Sequence, residues 1–485
     1  MSHQRNPKIV IIGAGMSGLL MAIKLKEAGI TDFQIYEKAS EIGGTWRENT
    51  YPGIACDVAS HYFTYKFEPN ANWSSRLPKG GEIQQYLLNV ASKYDLYQHI
   101  KFNVEVTDGQ HDGKGWHISL SDGEQVEADF MVACCGLLHH PRFPTIKGLD
   151  DFAGAKFHSA RWDHSVSLVK KRVGIIGNGS TGAQIISELA KEDLQLSVFQ
   201  RTAQWIFPMP NRQYSKLEQG LARAIPGLTK FMYYMYRTAF ENLFAKAVIQ
   251  PGWQRNLMSR LCRWNLNKVK DPELRKKLTP TYVPLCKRLV MSVDFYPAIQ
   301  RDNVALITEE IEQIEPAGVR MTDGTLHEVD VLVLATGFDA HAYFRPLNLT
   351  NESGVTLNEA WEDGPEAHRT VAVPGFPNFF MTLGPQSPIG NFSAISIAET
   401  QIEYIMQCIE AYRERGGVTL KPKGDSTAEF NKKVIDAMPG TIWVTGCTSW
   451  YIGKNGVPSA WPFTGREFRK ELAQPNLAEF EQSPP

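Results

Sequence analysis

A short apolar strand that stops at Gly13-Ala14-Gly15-Met16-Ser17-Gly18 and passes straight into a helix constrains this chain most, because the pattern occurs twice. Residues 9–12 form a β-branched apolar run that reads as a buried strand, and residues 19–28 read as the following helix. In that context G-x-G-x-x-G lets the backbone approach a pyrophosphate seated on the free N–H groups of the helix N-terminus. The next strand, 33–36, leads into Glu37, about 20 residues past the glycines, where a carboxylate accepts from a ribose hydroxyl. Gly13, Gly15, Gly18 and Glu37 are therefore candidate nucleotide-binding residues.

The second copy has its strand at 173–176, the turn Gly177-Asn178-Gly179-Ser180-Thr181-Gly182, and a helix over 183–191. Its next strand, 196–199, ends in Gln200-Arg201-Thr202, so a cation stands where the first copy has an acid. Arginine cannot accept from a 2′-hydroxyl but pairs well with a 2′-phosphate. The first site thus reads as an FAD site and the second as an NADPH site. The fold class expected is α/β, with two Rossmann-like, doubly wound dinucleotide-binding domains. Two further strand-then-glycine segments, 129–136 and 330–337, read as crossings between them. Cys134 and Cys135 are adjacent, so their side chains point to opposite faces, which favours packing over redox chemistry.

Composition removes several alternatives. At 485 residues the chain exceeds one compact core, and a net charge of -1 gives no electrostatic case for nucleic acid. Seven scattered cysteines, an odd number without C-x-x-C or Cys/His ligand spacing, argue against a disulfide framework, a structural metal site and a dithiol redox motif. Residues 1–8 are polar and leave no room for a signal peptide, and no apolar run approaches the ~20 residues of a membrane span. A cytoplasmic location is the expectation.

The second nucleotide unit is interrupted by a helically patterned stretch. Residues 211–290 hold sixteen Lys or Arg against four Asp or Glu, a net of +12. Within them, residues 231–236 with Phe240, Leu243 and Phe244 read as apolar almost all round. One reading is a helical insertion lining a substrate cavity; the other is a basic, aromatic surface resting on an anionic membrane. The tail after Gln474 reads as frayed.

Between the two turns, Phe152-x-Gly154-x-x-x-His158-x-x-x-Trp162-Asp163 resembles the fingerprint of Baeyer–Villiger monooxygenases, the type I, class B flavoprotein monooxygenases related to flavin-containing monooxygenases. Gly43-Gly44-Thr45-Trp46, then Tyr51-Pro52-Gly53 and Asp57, resemble the second pattern of that family. The resemblance implies that FAD is lined by Glu37, Gly44, Thr45, Trp46, Tyr51 and Asp57. It implies that NADPH is held by Gly177, Gly179, Ser180, Thr181, Gly182, Arg201, Thr202 and Lys287. Arg288 resembles the active-site arginine of the family and Asp57 the carboxylate that positions it; both are the catalytic candidates. Pro385 resembles a late loop returning to the flavin, and Trp450 with Tyr451 the C-terminal element that closes over the nicotinamide. His158 and Trp162 share one face if their stretch is helical, and read either as coupling residues in the linker or, for His158, as a satisfied core histidine.

The division implied is 1–143 with 366–485 for FAD, 144–210 with 289–365 for NADP, and 211–288 for the helical insertion. The activity implied is insertion of one oxygen atom of O2 into a ketone through a C4a-peroxyflavin, the substrate being a lipophilic ketone. Oxidation of sulfur or nitrogen by a flavin-containing monooxygenase, and a non-catalytic flavin-binding sensor, remain open. After Tyr451 the sequence departs from the cyclic-ketone enzymes, which leaves the particular substrate open.

Overall fold

In the computed structural model, which describes residues 6–447, 449, 451–453 and 456–483, the two glycine-rich turns are held by two parallel sheets. In chain order their strands are β1 (Ile9–Ile12), β2 (Phe33–Glu37), β3 (Ile100–Phe102), β4 (Phe130–Ala133), β5 (Ala155–His158), β6 (Arg172–Ile176), β7 (Gln195–Phe199), β8 (Val304–Ile307), β9 (Val331–Leu334) and β10 (Phe379–Met381). The first sheet runs β10-β4-β1-β2-β3 and the second β8-β7-β6-β9-β5, with every pairing parallel. Every residue of β1, β4 and β9 is buried, which follows from covering both faces of a parallel sheet.

β1 turns into α1 (Met16–Glu27) and β6 into α2 (Ser180–Leu189). Each of these strands sits where the order of its sheet reverses, so a crevice opens at its carboxyl end. β4 and β9 both lead into crossings that lie side by side: Arg142 N–H donates to Gly337 O at 2.9 Å and Asp339 N–H to His140 O at 3.0 Å.

The middle of the family fingerprint is a strand, so the condition for His158 and Trp162 to share a helix face is not met. Residues 155–158 form β5, which adds an edge to the second sheet through β9. Phe152 is buried in a small core with Leu332 and Leu334. A Cβ on Gly154 would stand 2.4 Å from Asp330 O, so only glycine admits this approach to β9. His158 ends the strand, buried, between the rings of Phe143 and Phe338 at 5.5 and 5.9 Å. Those rings belong to the two crossings, so strand propensity and sheet pairing override the four-residue spacing.

The insertion is helical, with α3 (Lys216–Ala224), α4 (Leu228–Phe240) and α5 (Trp253–Leu266). Its aromatic run is two-sided. Tyr233 is buried, while Tyr236, Phe240, Leu243 and Phe244 pack on the main core, and Phe231 faces outward.

Two expectations are corrected. Cys286 and Cys447 form a disulfide across 161 residues, a pairing set by tertiary packing with no local spacing to announce it. The tail is tied down: Phe480–Ser483 pairs antiparallel with Thr419–Pro422, with Phe480 buried. Asn348–Thr350 pairs parallel with the strand Val106–His111.

Candidate active site

One cavity of about 1370 Å³ connects the two crevices. At its first end the lining includes Gly13, Gly15, Ser17, Glu37, Gly44 and Thr45. No side chain caps α1, so its first N–H groups face the cavity, the arrangement that receives a phosphate. Glu37 is buried and anchored by its neighbours: Oε2 accepts from Ala14 N–H at 2.7 Å and Oε1 from Ala39 N–H at 2.9 Å. The carboxylate is thus locked beside the Gly13–Gly18 turn. Trp46 also lines this end, packed edge-on against Phe63 at 5.4 Å.

At the other end Gly177, Gly179, Ser180 and Thr181 line the cavity, and α2 likewise has no side-chain cap. Gly177 has φ +108°, and a Cβ there would meet Ala335 O at 2.4 Å, so the turn requires glycine. Arg201, Thr202 and Lys287 complete this end. Burial and the neighbouring Arg201 charge both lower the pKa of Lys287. Two cations held together in this way suit an anion with two charges, such as a 2′-phosphate.

The third glycine of each turn plays another part than the expected nucleotide contact. Neither Gly18 nor Gly182 is in the lining; a Cβ on Gly18 would stand 1.9 Å from Gly13 O, and one on Gly182 2.3 Å from Gly177 O. Both let the helix close onto its own turn. Pro385 is buried and outside the lining, where Leu383, Ile389 and Gly390 of the same segment stand instead. Trp450 lies outside the described residues.

Where the two ends meet, Arg288 and Asp57 form a bidentate pair. Arg288 Nε donates to Asp57 Oδ2 at 3.0 Å, and Nη2 donates to Oδ1 at 2.8 Å and to Oδ2 at 2.6 Å. Their side chains keep 31% and 23% exposure, so the pair stays open to the cavity. Burial works against the Arg288 charge, but Asp57 and a hydrogen bond to the Tyr451 hydroxyl outweigh it and raise its pKa. The guanidinium is therefore a permanent cation.

Three more residues support this centre, of which the resemblance had named Tyr451. A Cβ on Gly390, φ +92°, would stand 2.2 Å from the Tyr451 hydroxyl and 3.2 Å from Arg288 Nη1, so a bare backbone passes here. Tyr451 is buried against the arginine. Gln184 of α2 joins the two units: Tyr51 Oη donates to its Oε1 at 2.9 Å, and its Nε2 donates to Ala55 O at 2.9 Å. Burial pushes the Tyr51 phenol up to about 12, so it stays a neutral donor. Tyr451 was marked by the family resemblance, whereas Gly390 and Gln184 carried no signal that would single them out.

Comparison with known proteins agrees with this geometry. A family model described as flavin-binding monooxygenase-like matches residues 6–353. A Baeyer–Villiger monooxygenase of Streptomyces coelicolor is 37% identical over 98% of this chain and 92% of its own length. Another of Pseudomonas aeruginosa is 35% identical over 95% of this chain and 89% of its own. Among solved structures, closed cyclohexanone monooxygenase superposes with TM-score 0.88 at 29% identity, over 99% of both chains. OTEMO in complex with FAD and NADP superposes with TM-score 0.88 at 25% identity, over 99% of this chain and 100% of that one. The chain belongs to the flavin-binding monooxygenase-like family, on its Baeyer–Villiger branch.

Proposed function

We infer that this protein is a Baeyer–Villiger monooxygenase that binds FAD and NADPH and converts a lipophilic ketone to an ester or lactone. Overall, ketone, O2, NADPH and a proton give ester, NADP⁺ and water. The observation that carries the reading is the Asp57–Arg288 pair at the junction of the two nucleotide ends. Bound FAD supplies the activation of dioxygen with electrons from NADPH.

The residues of the chain do the holding. The N-terminus of α1 receives the flavin pyrophosphate and Glu37 its ribose, with Gly44, Thr45, Trp46 and Tyr51 along the cofactor. The N-terminus of α2 receives the NADPH pyrophosphate, while Arg201, Thr202 and Lys287 take the 2′-phosphate. Asp57 orients the guanidinium of Arg288, which stabilises negative charge developing on the carbonyl oxygen of the ketone. That task needs a fork of fixed donors in a site shielded from water.

Next to Arg288 a small recess is lined by Phe240, Phe244, Val248, Leu289, Met291 and Trp443. At about 40 Å³ it admits no more than an edge of the substrate, and its apolar wall beside Arg288 is the ground for proposing a lipophilic ketone. The same reading gives FAD the segments 1–143 and 366–485, NADP 144–210 and 289–365, and the recess wall the insertion 211–288; the pairing of Asn348–Thr350 with Val106–His111 favours drawing the last boundary earlier.

Mass spectrometry of products from linear, cyclic and aryl ketones beside sulfides and amines tests the reading. Ester or lactone formation is expected. Oxidation of sulfides or amines alone would place the chain with the heteroatom oxidisers. NADPH oxidation without any oxygenated product would end both readings.

A further inference from the structure

We propose that the outer face of α5 docks the protein on an anionic lipid surface, as a peripheral attachment separate from the active site. α5 is amphipathic in an unusual sense. Its inner side buries Met258, Cys262 and Leu266 in the core. Its outer side carries Trp253, Leu257, Arg260 and Trp264, spaced by four, three and four residues and hence in one stripe. Trp253 is 62% exposed, Trp264 56% and Leu257 38%. Indole is costly to leave in water, and two on one exposed stripe call for a partner.

Charge selects the partner. Residues 242–270 contain six Lys or Arg and no Asp or Glu. Arg260 lies within the stripe, Arg263 beside it, and Lys268 reaches back so that its Nζ sits 3.9 Å over the Trp264 ring. A second copy of this chain docking through the same stripe would bring two acid-free cationic helices together, which electrostatic complementarity disfavours. A bilayer with anionic headgroups answers both features. Tryptophan rings settle at the depth of the headgroups, and Lys and Arg pair with lipid phosphates around them. Among the described residues no helix is long and apolar enough to cross a membrane, so the contact is superficial.

The aromatic run of α4 is not the surface in question. Tyr233, Tyr236 and Phe240 turn inward, Phe240 reaching the substrate recess, and no indole stands among its outward residues. The docking face and the recess are therefore parts of one insertion, one side for the bilayer and one for the ketone.

The test is sedimentation of the holoenzyme with vesicles of phosphatidylglycerol and phosphatidylcholine, compared with phosphatidylcholine alone, at low and high salt. The protein should bind the anionic vesicles at low salt and be released as salt rises. Removing both indoles by Trp253→Ala with Trp264→Ala should weaken partitioning at least about tenfold, since burial of each ring contributes to the contact. Arg260→Glu with Lys268→Glu should abolish the preference for anionic lipid. All four positions are remote from Arg288 in role, so flavin content and turnover of a water-soluble ketone should be unchanged in each variant, which also reports intact folding. No binding of the parent at low salt overturns the proposal, as does equal binding by the double tryptophan variant. A dimer in sedimentation equilibrium that the tryptophan variant dissociates would give the face to a second copy instead. Vesicle binding requires no substrate, so failure of the ketone reading and failure of this one are told apart.

Discussion

Cys286 is bonded to Cys447, and the cross-link ties the segment that carries Arg288 to the segment that carries Tyr451. Arg288 is thereby held by Asp57 on one side and by Tyr451 on the other, with Gly390 leaving room between them. The catalytic candidate is positioned by three stretches of chain that are far apart in sequence.

Opening that cross-link should cost stability before chemistry. Closing a loop of 161 residues is worth up to about 5 kcal/mol on the chain-entropy model. Cys447→Ser, or treatment with a dithiol reductant, should lower the thermal midpoint by several degrees while FAD stays bound. Unchanged melting with and without reductant would mean that the thiols are not joined in solution. Because glutathione opposes such bonds inside cells, alkylation of freshly lysed cells would report the state that matters there.

Arg288→Ala should keep its flavin and its reduction by NADPH yet lose ester formation. A cation facing developing negative charge is worth ~3–4 kcal/mol, a fall of roughly a hundred- to a thousandfold. Arg288→Lys should restore little, since an ammonium lacks the planar fork that Asp57 engages. Stopped-flow reduction followed by product analysis separates the two steps. Ester formed within about threefold of the parent would move the role to another residue.

Lys287→Ala should raise the Michaelis constant for NADPH by about ten- to a hundredfold, the worth of a hydrogen bond to a charged group, and leave that for NADH nearly unaltered. The lowered pKa of Lys287 beside Arg201 is the motive: an anion between them relieves the repulsion. Equal losses with both cofactors would contradict the assignment to the 2′-phosphate.

Acid should loosen the crossings through His158. Burial holds its pKa down at about 4, against an ordinary 6.5. Between these values the unfolded chain binds the proton and the folded chain does not, so stability falls as pH drops through that window. Urea midpoints measured above and below it should diverge less for His158→Asn than for the parent. An identical pH slope in both proteins would relieve His158 of this part.

The short-range elements of this protein were legible from residue order alone. A strand, a glycine turn and a helix are dictated by backbone sterics within some twenty residues, so both turns, Glu37 and Arg201 lie in the structure where the spacing puts them. The fingerprint at 152–163 was equally visible, although its part as an edge strand was not, because the choice between strand and helix there rests on β9 lying alongside. The pairing of Asp57 with Arg288 across 231 residues was suggested by family resemblance and has no local cause. Tertiary structure alone decided the disulfide, the bare passage at Gly390, the tie of Gln184 to Tyr51, the exclusion of Pro385 from the cavity and the outward turn of Trp253 and Trp264. Each of these joins or separates segments brought together by sheet and helix packing, and such contacts leave no period or spacing in the chain from which they could be read.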